Sequence, residues 1–229
     1  MSTDYLRTAE TDAEGARARE TLLQDAEAAV ERIELCVAQV TRDVRGVETM
    51  LDERESDCRA ALRRIRETGE RLASGLPASR SFFSQTLDKA ELKRLCDTVM
   101  ETERAHHALQ DALLCLGEVG TRLQTCRVRV MGAERQAYVL KAAANGTPHE
   151  ASAADAVKAL CALERRCAQA WERLMERRET WGAFSTITLP RFCDGVRRFA
   201  DLSHGGEESR SGEIRRLCGE LRTALNRAL

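Results

Sequence analysis

An apolar heptad repeat dominates the first third of the chain. From Leu23 to Leu72, apolar residues recur at alternating spacings of three and four, and only Arg54 and Thr68 depart from the pattern. Side chains at this spacing lie on one face of a helix, which is typical of a coiled coil. The repeat therefore predicts one long helix over residues 15–74.

A second repeat follows after a short connection. It begins behind a possible capping box at residues 88–91, runs from Leu92 to Ala144 with one shift of register, and ends at an Asn-Gly-Thr-Pro sequence typical of a turn. Residues 75–87 include a Gly and a Pro, which favour a helix end. Two helices of similar length joined in this way predict an antiparallel hairpin over residues 15–148.

Charged residues on the two predicted helices suggest a register for the hairpin. A turn near residue 80 would bring an acidic stretch of the first helix opposite a basic stretch of the second, and complementary flanks of this kind help to set orientation. These two sets are the acids Glu20, Asp25, Glu27, Glu31 and Glu34 and the bases Arg122, Arg127, Arg129, Arg135 and Lys141.

The remaining sequence predicts shorter elements. Residues 149–202 are expected to form a third helix and a short helix that thicken one end of the hairpin, although the run 186–189 leans towards β structure. A Gly- and Ser-rich linker over 203–212 leads into an amphipathic helix over 213–229. Residues 1–14 are expected to be a flexible N-terminus. The predicted fold class is all-α, an elongated antiparallel coiled-coil hairpin with the shorter helices packed at one end.

Composition narrows the function classes. The chain of 229 residues has a net charge of -1, which argues against a general nucleic-acid-binding protein. No apolar stretch of about 18 residues is present to span a bilayer. Nine Cys and the absence of an export signal favour reduced thiols and a cytoplasmic location. Most of these Cys are expected to be small buried apolar residues.

No motif indicates catalysis. The sequence has no phosphate-binding Gly-rich loop, no paired His motif for zinc and no nucleophile elbow. His106 falls on the helical seam beside His107, which favours a buried, hydrogen-bonded position over a metal site. The chain is therefore expected to be non-enzymatic, without a cofactor or a metal.

Basic residues and two adjacent phenylalanines mark the predicted tip of the hairpin as a candidate interaction site. A cationic rim around apolar rings suits an anionic membrane surface or an acidic groove on a protein. Alternatively, the rings close the end of the coiled coil and the basic residues form a solvated face. The tip residues are Arg63, Arg64, Arg66, Arg80, Phe82, Phe83, Lys89 and Lys93.

The C-terminal helix is the second candidate. Its apolar face comprises Ile214, Leu217, Leu221 and Leu225. This face could dock back on the thicker end of the hairpin or bind a groove on another protein.

These features together predict a coiled-coil scaffold or adaptor that mediates protein–protein interaction or assembly. Self-association is expected, because a long apolar seam commonly buries more surface than one hairpin can supply. Two alternatives remain open. The chain could be a peripheral membrane protein that dimerises and contacts anionic lipid through the tip, or a hairpin chaperone or export accessory factor.

Overall fold

The chain is all-α, as the sequence predicts. The computed structural model describes residues 3–75, 89–201 and 208–229, and no β-strand occurs in these ranges. The elements in chain order are α1 (Thr3–Gly75), α2 (Lys89–Ala143), α3 (Glu150–Ala183), a π-helix (Phe184–Thr188), α4 (Leu189–Asp201) and α5 (Glu208–Ala228). Helix α1 starts well before residue 15, so most of the segment predicted as a flexible N-terminus is helical.

The chain divides into two compact units. The first unit comprises residues Met1–Glu48 and Thr121–Trp171, and the second comprises Thr49–Gly120 and Glu172–Leu229. Each unit therefore contains one part of α1, one part of α2 and one part of α3. The π-helix, α4 and α5 belong to the second unit.

The first unit is a bundle of three helices in which α1 and α2 run antiparallel. Val30 of α1 shares a buried cluster with Ala144, just after α2, and with Ala153 of α3. Further along α1, Asp43 accepts a hydrogen bond of 2.9 Å from Arg129 of α2. As the residue number rises along α1, the number of its neighbour on α2 falls, which confirms the antiparallel order.

The charge-based register of the hairpin holds at the C-terminal end of α2 but is offset at Arg129. Arg129 pairs with Asp43, whereas the sequence analysis places it opposite the stretch that ends at Glu34. Lys141 lies near the level of Val30, within the acidic stretch, as the charge pattern predicts, whereas Arg129 lies beyond the end of that stretch. The physical reason is that buried apolar positions set the register, because each exposed ion pair contributes only a few tenths of a kcal/mol.

The second unit buries a wider stripe of α1 than a two-helix seam requires. Leu62 and Gly69 are buried beside the seam residues, because α5 packs against this side of α1. A Cβ on Gly69 would lie 2.9 Å from a methyl of Leu221, so the two helices approach closely there. At the end of α3, the buried Trp181 indole donates a 2.8 Å hydrogen bond to the carbonyl of Ala228. The end of α5 is thus fixed to α3.

The β-leaning run 186–189 is helical, which corrects the local sequence interpretation. Residues Phe184–Thr188 form one π-turn, in which the amide of Leu189 donates to the carbonyl of Phe184. Pro190 follows directly and gives a physical reason for the wider turn. Its ring lacks an N–H donor and would collide with the carbonyl four residues earlier in a regular α-helix. Widening the turn relieves this clash without ending the helix.

Among the residues that the structure describes, no helix combines the length and the apolar character needed to cross a membrane.

Candidate functional site

Helix α2 presents apolar side chains on the side away from the core of the first unit. Val128, Met131 and Val139 are 61%, 40% and 70% exposed, respectively. On the opposite side of the same helix, Leu123 and Val130 are almost completely buried. Helix α2 thus has apolar residues on two faces, and only one of these faces packs into the core of the first unit. An exposed apolar stripe of this kind is a candidate interaction surface.

A second repeat in the sequence of α2 produces this surface. Exposed residues recur at steps of four and three, which keeps them on one side of the helix. The repeat comprises Thr121, Thr125, Val128, Gly132, Arg135, Val139 and Ala142. We call Val128, Met131, Arg135 and Val139 the outward face of α2.

The surroundings of the outward face are basic. Between residues 121 and 143, the sequence has five Arg or Lys and one Glu. Arg129 and Arg127 are paired within the unit, with Asp43 and Glu164. By contrast, Arg135 is exposed and makes no ion pair with any residue that the structure describes, and the same holds for Lys141. The outward face therefore suits a partner helix with an apolar stripe and acidic flanks.

Helix α1 extends beyond the other two helices of the first unit. Helix α2 ends at Ala143, near the level of Val30, so residues 3–28 of α1 lie past its end. We call residues 3–28 the N-terminal extension of α1. In it, Leu22 is 68% exposed and Leu23 is 41% exposed, although Leu23 begins the predicted seam. The apolar repeat thus continues along α1 beyond the helices that cover it.

A buried carboxylate connects α1 to α3 in the second unit. The Glu55 side chain is only 1% exposed and accepts hydrogen bonds from Arg59 at 2.8 Å and from Arg173 at 2.5 Å. Arg173 also pairs with Asp52. Hydrogen bonding to Glu55, and secondarily to Asp52, raises the pKa of the Arg173 guanidinium. Two cations satisfy the buried charge, so this cluster holds α3 at a fixed position on α1.

His106 is half-buried and hydrogen-bonded, as its position on the seam suggests. Its Nε2 lies 3.0 Å from the hydroxyl of Ser185 in the π-helix. Burial lowers the pKa of His106, and the nearby His107 acts in the same direction, whereas the interaction with Ser185 opposes them. The neutral imidazole is therefore favoured. The hydrogen bond links α2 to the π-helix. Because Ser185 is only 2% exposed, its hydroxyl is not accessible to a large substrate.

The structure places four of the predicted tip residues with their side chains. Arg63, Arg64 and Lys93 are exposed on the second unit. Arg66 is half-buried and donates a 2.8 Å hydrogen bond to the side chain of Asn226 in α5, so it contributes to packing. The side chain of Lys89, and Arg80, Phe82 and Phe83 altogether, lie outside the described part of the structure.

The predicted apolar face of the C-terminal helix is buried. Ile214, Leu217, Leu221 and Leu225 are each at most 5% exposed, and α5 packs on α4 and the π-helix. This arrangement agrees with docking back onto the protein, which was one of the two alternatives for α5. The same face could bind another protein only if α5 detached.

Five of the nine cysteines are buried, including Cys58, Cys193 and Cys218. Burial raises the pKa of Cys58 to about 12 and those of Cys193 and Cys218 to about 11. Their thiols stay protonated near neutral pH and behave as small apolar groups. Cys96, by contrast, is exposed.

Comparison with protein-family models finds no match to this chain, and no curated protein or solved structure matches it either. The candidate sites therefore depend on the geometry alone.

Sequence reasoning missed both the outward face of α2 and the Glu55 cluster. The outward face had a usable signal, since its steps of four and three are visible beside the stronger buried repeat. Glu55 had a weaker one: it directly follows Arg54, the polar residue in the predicted seam. The structure buries Glu55 completely and leaves Arg54 partly exposed.

Proposed function

We propose that this protein is a non-enzymatic helical scaffold or adaptor that binds protein partners through the outward face of α2. The observation that carries the proposal is the exposure of Val128, Met131 and Val139 in a helix whose other side already forms the core. The cytoplasm is the proposed location, because nine thiols without a disulfide suit a reducing compartment.

The apolar surface is sufficient to contribute to binding. Fully burying a Val or Met side chain yields about 1.5–3 kcal/mol, and these three are already partly covered. Their burial by a partner helix would contribute a few kcal/mol before the cost of association. Electrostatic attraction to Arg135 would favour acidic partners and would speed their association at low salt.

The test is affinity capture with a matched pair of variants. The double variant Val128→Asp with Val139→Asp places charges in the outward face of α2. Leu35→Asp is the control, because Leu35 is 71% exposed on α1 of the same unit but lies outside this face. We expect specific partners to be lost from the double variant and retained by the control, with both variants as helical as the parent by circular dichroism.

The identified partner should bind through a helix with acidic flanks. Equal recovery of all partners by the double variant and by the parent would overturn the proposal.

A second candidate is contact with an anionic membrane through exposed basic residues of the second unit. Its support is the exposure of Arg63, Arg64 and Lys93. Vesicles containing phosphatidylserine should pellet the parent at low salt, and Arg63→Glu with Arg64→Glu should abolish the pelleting. Absence of pelleting by the parent would exclude this candidate.

A further inference from the structure

We infer that the outward face of α2 binds the N-terminal extension of α1 from a second copy of the same chain, which gives a symmetric dimer. This inference rests on the proposed function, because it names one occupant of the same face. The extension carries an apolar stripe without a covering helix, and the outward face carries exposed apolar side chains that its own unit does not use.

Within one chain the two surfaces cannot meet. Val30 of α1 lies at the level where α2 ends, so the extension continues away from α2 of its own chain. A straight helix of this length cannot fold back without a break, and α1 is continuous from Thr3 to Gly75. Helices α2 and α3 of the same chain therefore do not cover the extension, whereas a helix of a second copy can.

The two segments have matching lengths. At about 1.5 Å per residue, the extension over residues 3–28 spans roughly 39 Å, and α2 from residue 121 to 143 spans roughly 34 Å. If two first units meet end to end about a two-fold axis, the extension of each continues alongside α2 of the other. The extension and α2 of the second copy then run parallel, because the two-fold axis reverses the antiparallel order within one unit.

The two segments also have opposite charge. Residues 3–28 contain seven acids and three arginines, whereas residues 121–143 contain five bases and one acid. In the end-to-end arrangement, the C-terminal end of the extension lies near the C-terminal end of α2 in the second copy. Asp25 and Glu27 are then close to Lys141. Asp25 and Glu27 are exposed and make no ion pair with any described residue of their own chain.

Apolar contacts would join these charges. Leu22 and Leu23 of the extension precede Asp25 and Glu27 by roughly half a turn to one and a half turns of helix, so they reach α2 of the second copy near Val139. Burying two leucines and Val139 supplies the attraction, while the charges select the register and exclude like-charged pairings. A single contact of this kind is weak, but the two-fold symmetry gives two such contacts in each dimer.

The test is a charge exchange on the full-length chain. Sedimentation equilibrium at low salt should show a dimer for the parent. Asp25→Lys with Glu27→Lys should weaken dimerisation at least about ten-fold, and Arg135→Glu with Lys141→Glu should have the same effect. Mixing these two variants should restore a dimer, because each extension then meets an α2 of opposite charge. The control is Glu176→Lys with Glu179→Lys, which changes the net charge equally at exposed positions of α3.

Three results would overturn the inference: a monomeric parent, a dimer that the charge variants leave unchanged, or two weakened variants that stay monomeric when mixed. Its failure differs from failure of the proposed function. A monomeric parent whose protein partners are still lost through Val128→Asp with Val139→Asp contradicts the dimer alone.

Discussion

The Glu55 cluster allows a quantitative prediction about the second unit. The perturbation is Arg173→Met, which removes one of the two cations on a carboxylate that is 1% exposed but keeps an apolar side chain of similar length. Removing one partner of a fully buried ion pair costs about 3–5 kcal/mol, because the remaining charge loses its compensation.

We expect the loss of stability at this site to be smaller than the general value for a fully buried ion pair, for two reasons. Arg59 still donates to Glu55 after the substitution, and the Arg173 side chain is 44% exposed, so water screens its charge. We therefore expect Arg173→Met to lower the free energy of unfolding by about 2 kcal/mol. Glu55→Met should cost about 1 kcal/mol, because Arg173 retains Asp52 and access to water.

The double variant distinguishes an ion pair from simple packing. With both charges removed, no buried carboxylate is left uncompensated, so the two costs should not add. We expect a coupling of at least about 1 kcal/mol between the substitutions. Arg178→Met is the matched control, since Arg178 lies exposed on the same helix, and it should change stability by less than about 0.5 kcal/mol.

Tryptophan fluorescence during urea unfolding is the appropriate assay. A background of Trp171→Phe leaves Trp181, which is fully buried in the second unit, as the only tryptophan. Costs that add within about 0.3 kcal/mol, or an effect of Arg173→Met no larger than that of its control, would refute the reasoning.

Three further predictions concern packing, pH and thiols. Gly195→Ala should destabilise the protein by about 1–3 kcal/mol, because the added Cβ would overlap a methyl of the buried Leu217. Gly46→Ala, with open space around it, should stabilise the protein by up to about 1 kcal/mol, and thermal unfolding compares the two variants. Stability should be full above pH 6.5 and decline as the pH falls through the lowered pKa of His106, and His106→Gln should flatten this decline in urea titrations. A thiol reagent should label Cys96 rapidly in the native protein and Cys58 only after unfolding, as mass spectrometry of labelled peptides would show.

The fold class was predictable because the long helices have apolar residues at a regular helical spacing in the sequence. Most buried positions from Val30 to Leu72 follow the spacing of three and four, so the existence of α1 and its apolar face could be inferred directly. The antiparallel order followed from the short connection. The start of α1 at Thr3 was not predictable in the same way, because its first two turns carry few large apolar residues.

The register and the sites were less accessible. The charge pattern suggested that the stretch ending at Glu34 lies opposite Arg129. The packing of buried apolar residues instead places Asp43 beside Arg129. The burial of Glu55 depends on Arg173, which is distant in sequence and meets it only through α3. The outward face of α2 is recognisable only when the buried side is known, because both of its sides contain apolar residues.

The π-helix has a consequence for how this chain tolerates insertions and deletions. Its wider turn adds one residue to the helical path, so the buried positions step from Phe184 to Leu189 instead of following the α-helical interval. Removing a single residue there would rotate everything downstream by about 100°. Gly195, which packs against Leu217, would then turn away from α5. The one extra residue of the π-turn thus sets the rotation of α4 about its axis. We therefore expect the length of residues 184–188 to be more constrained than their identity.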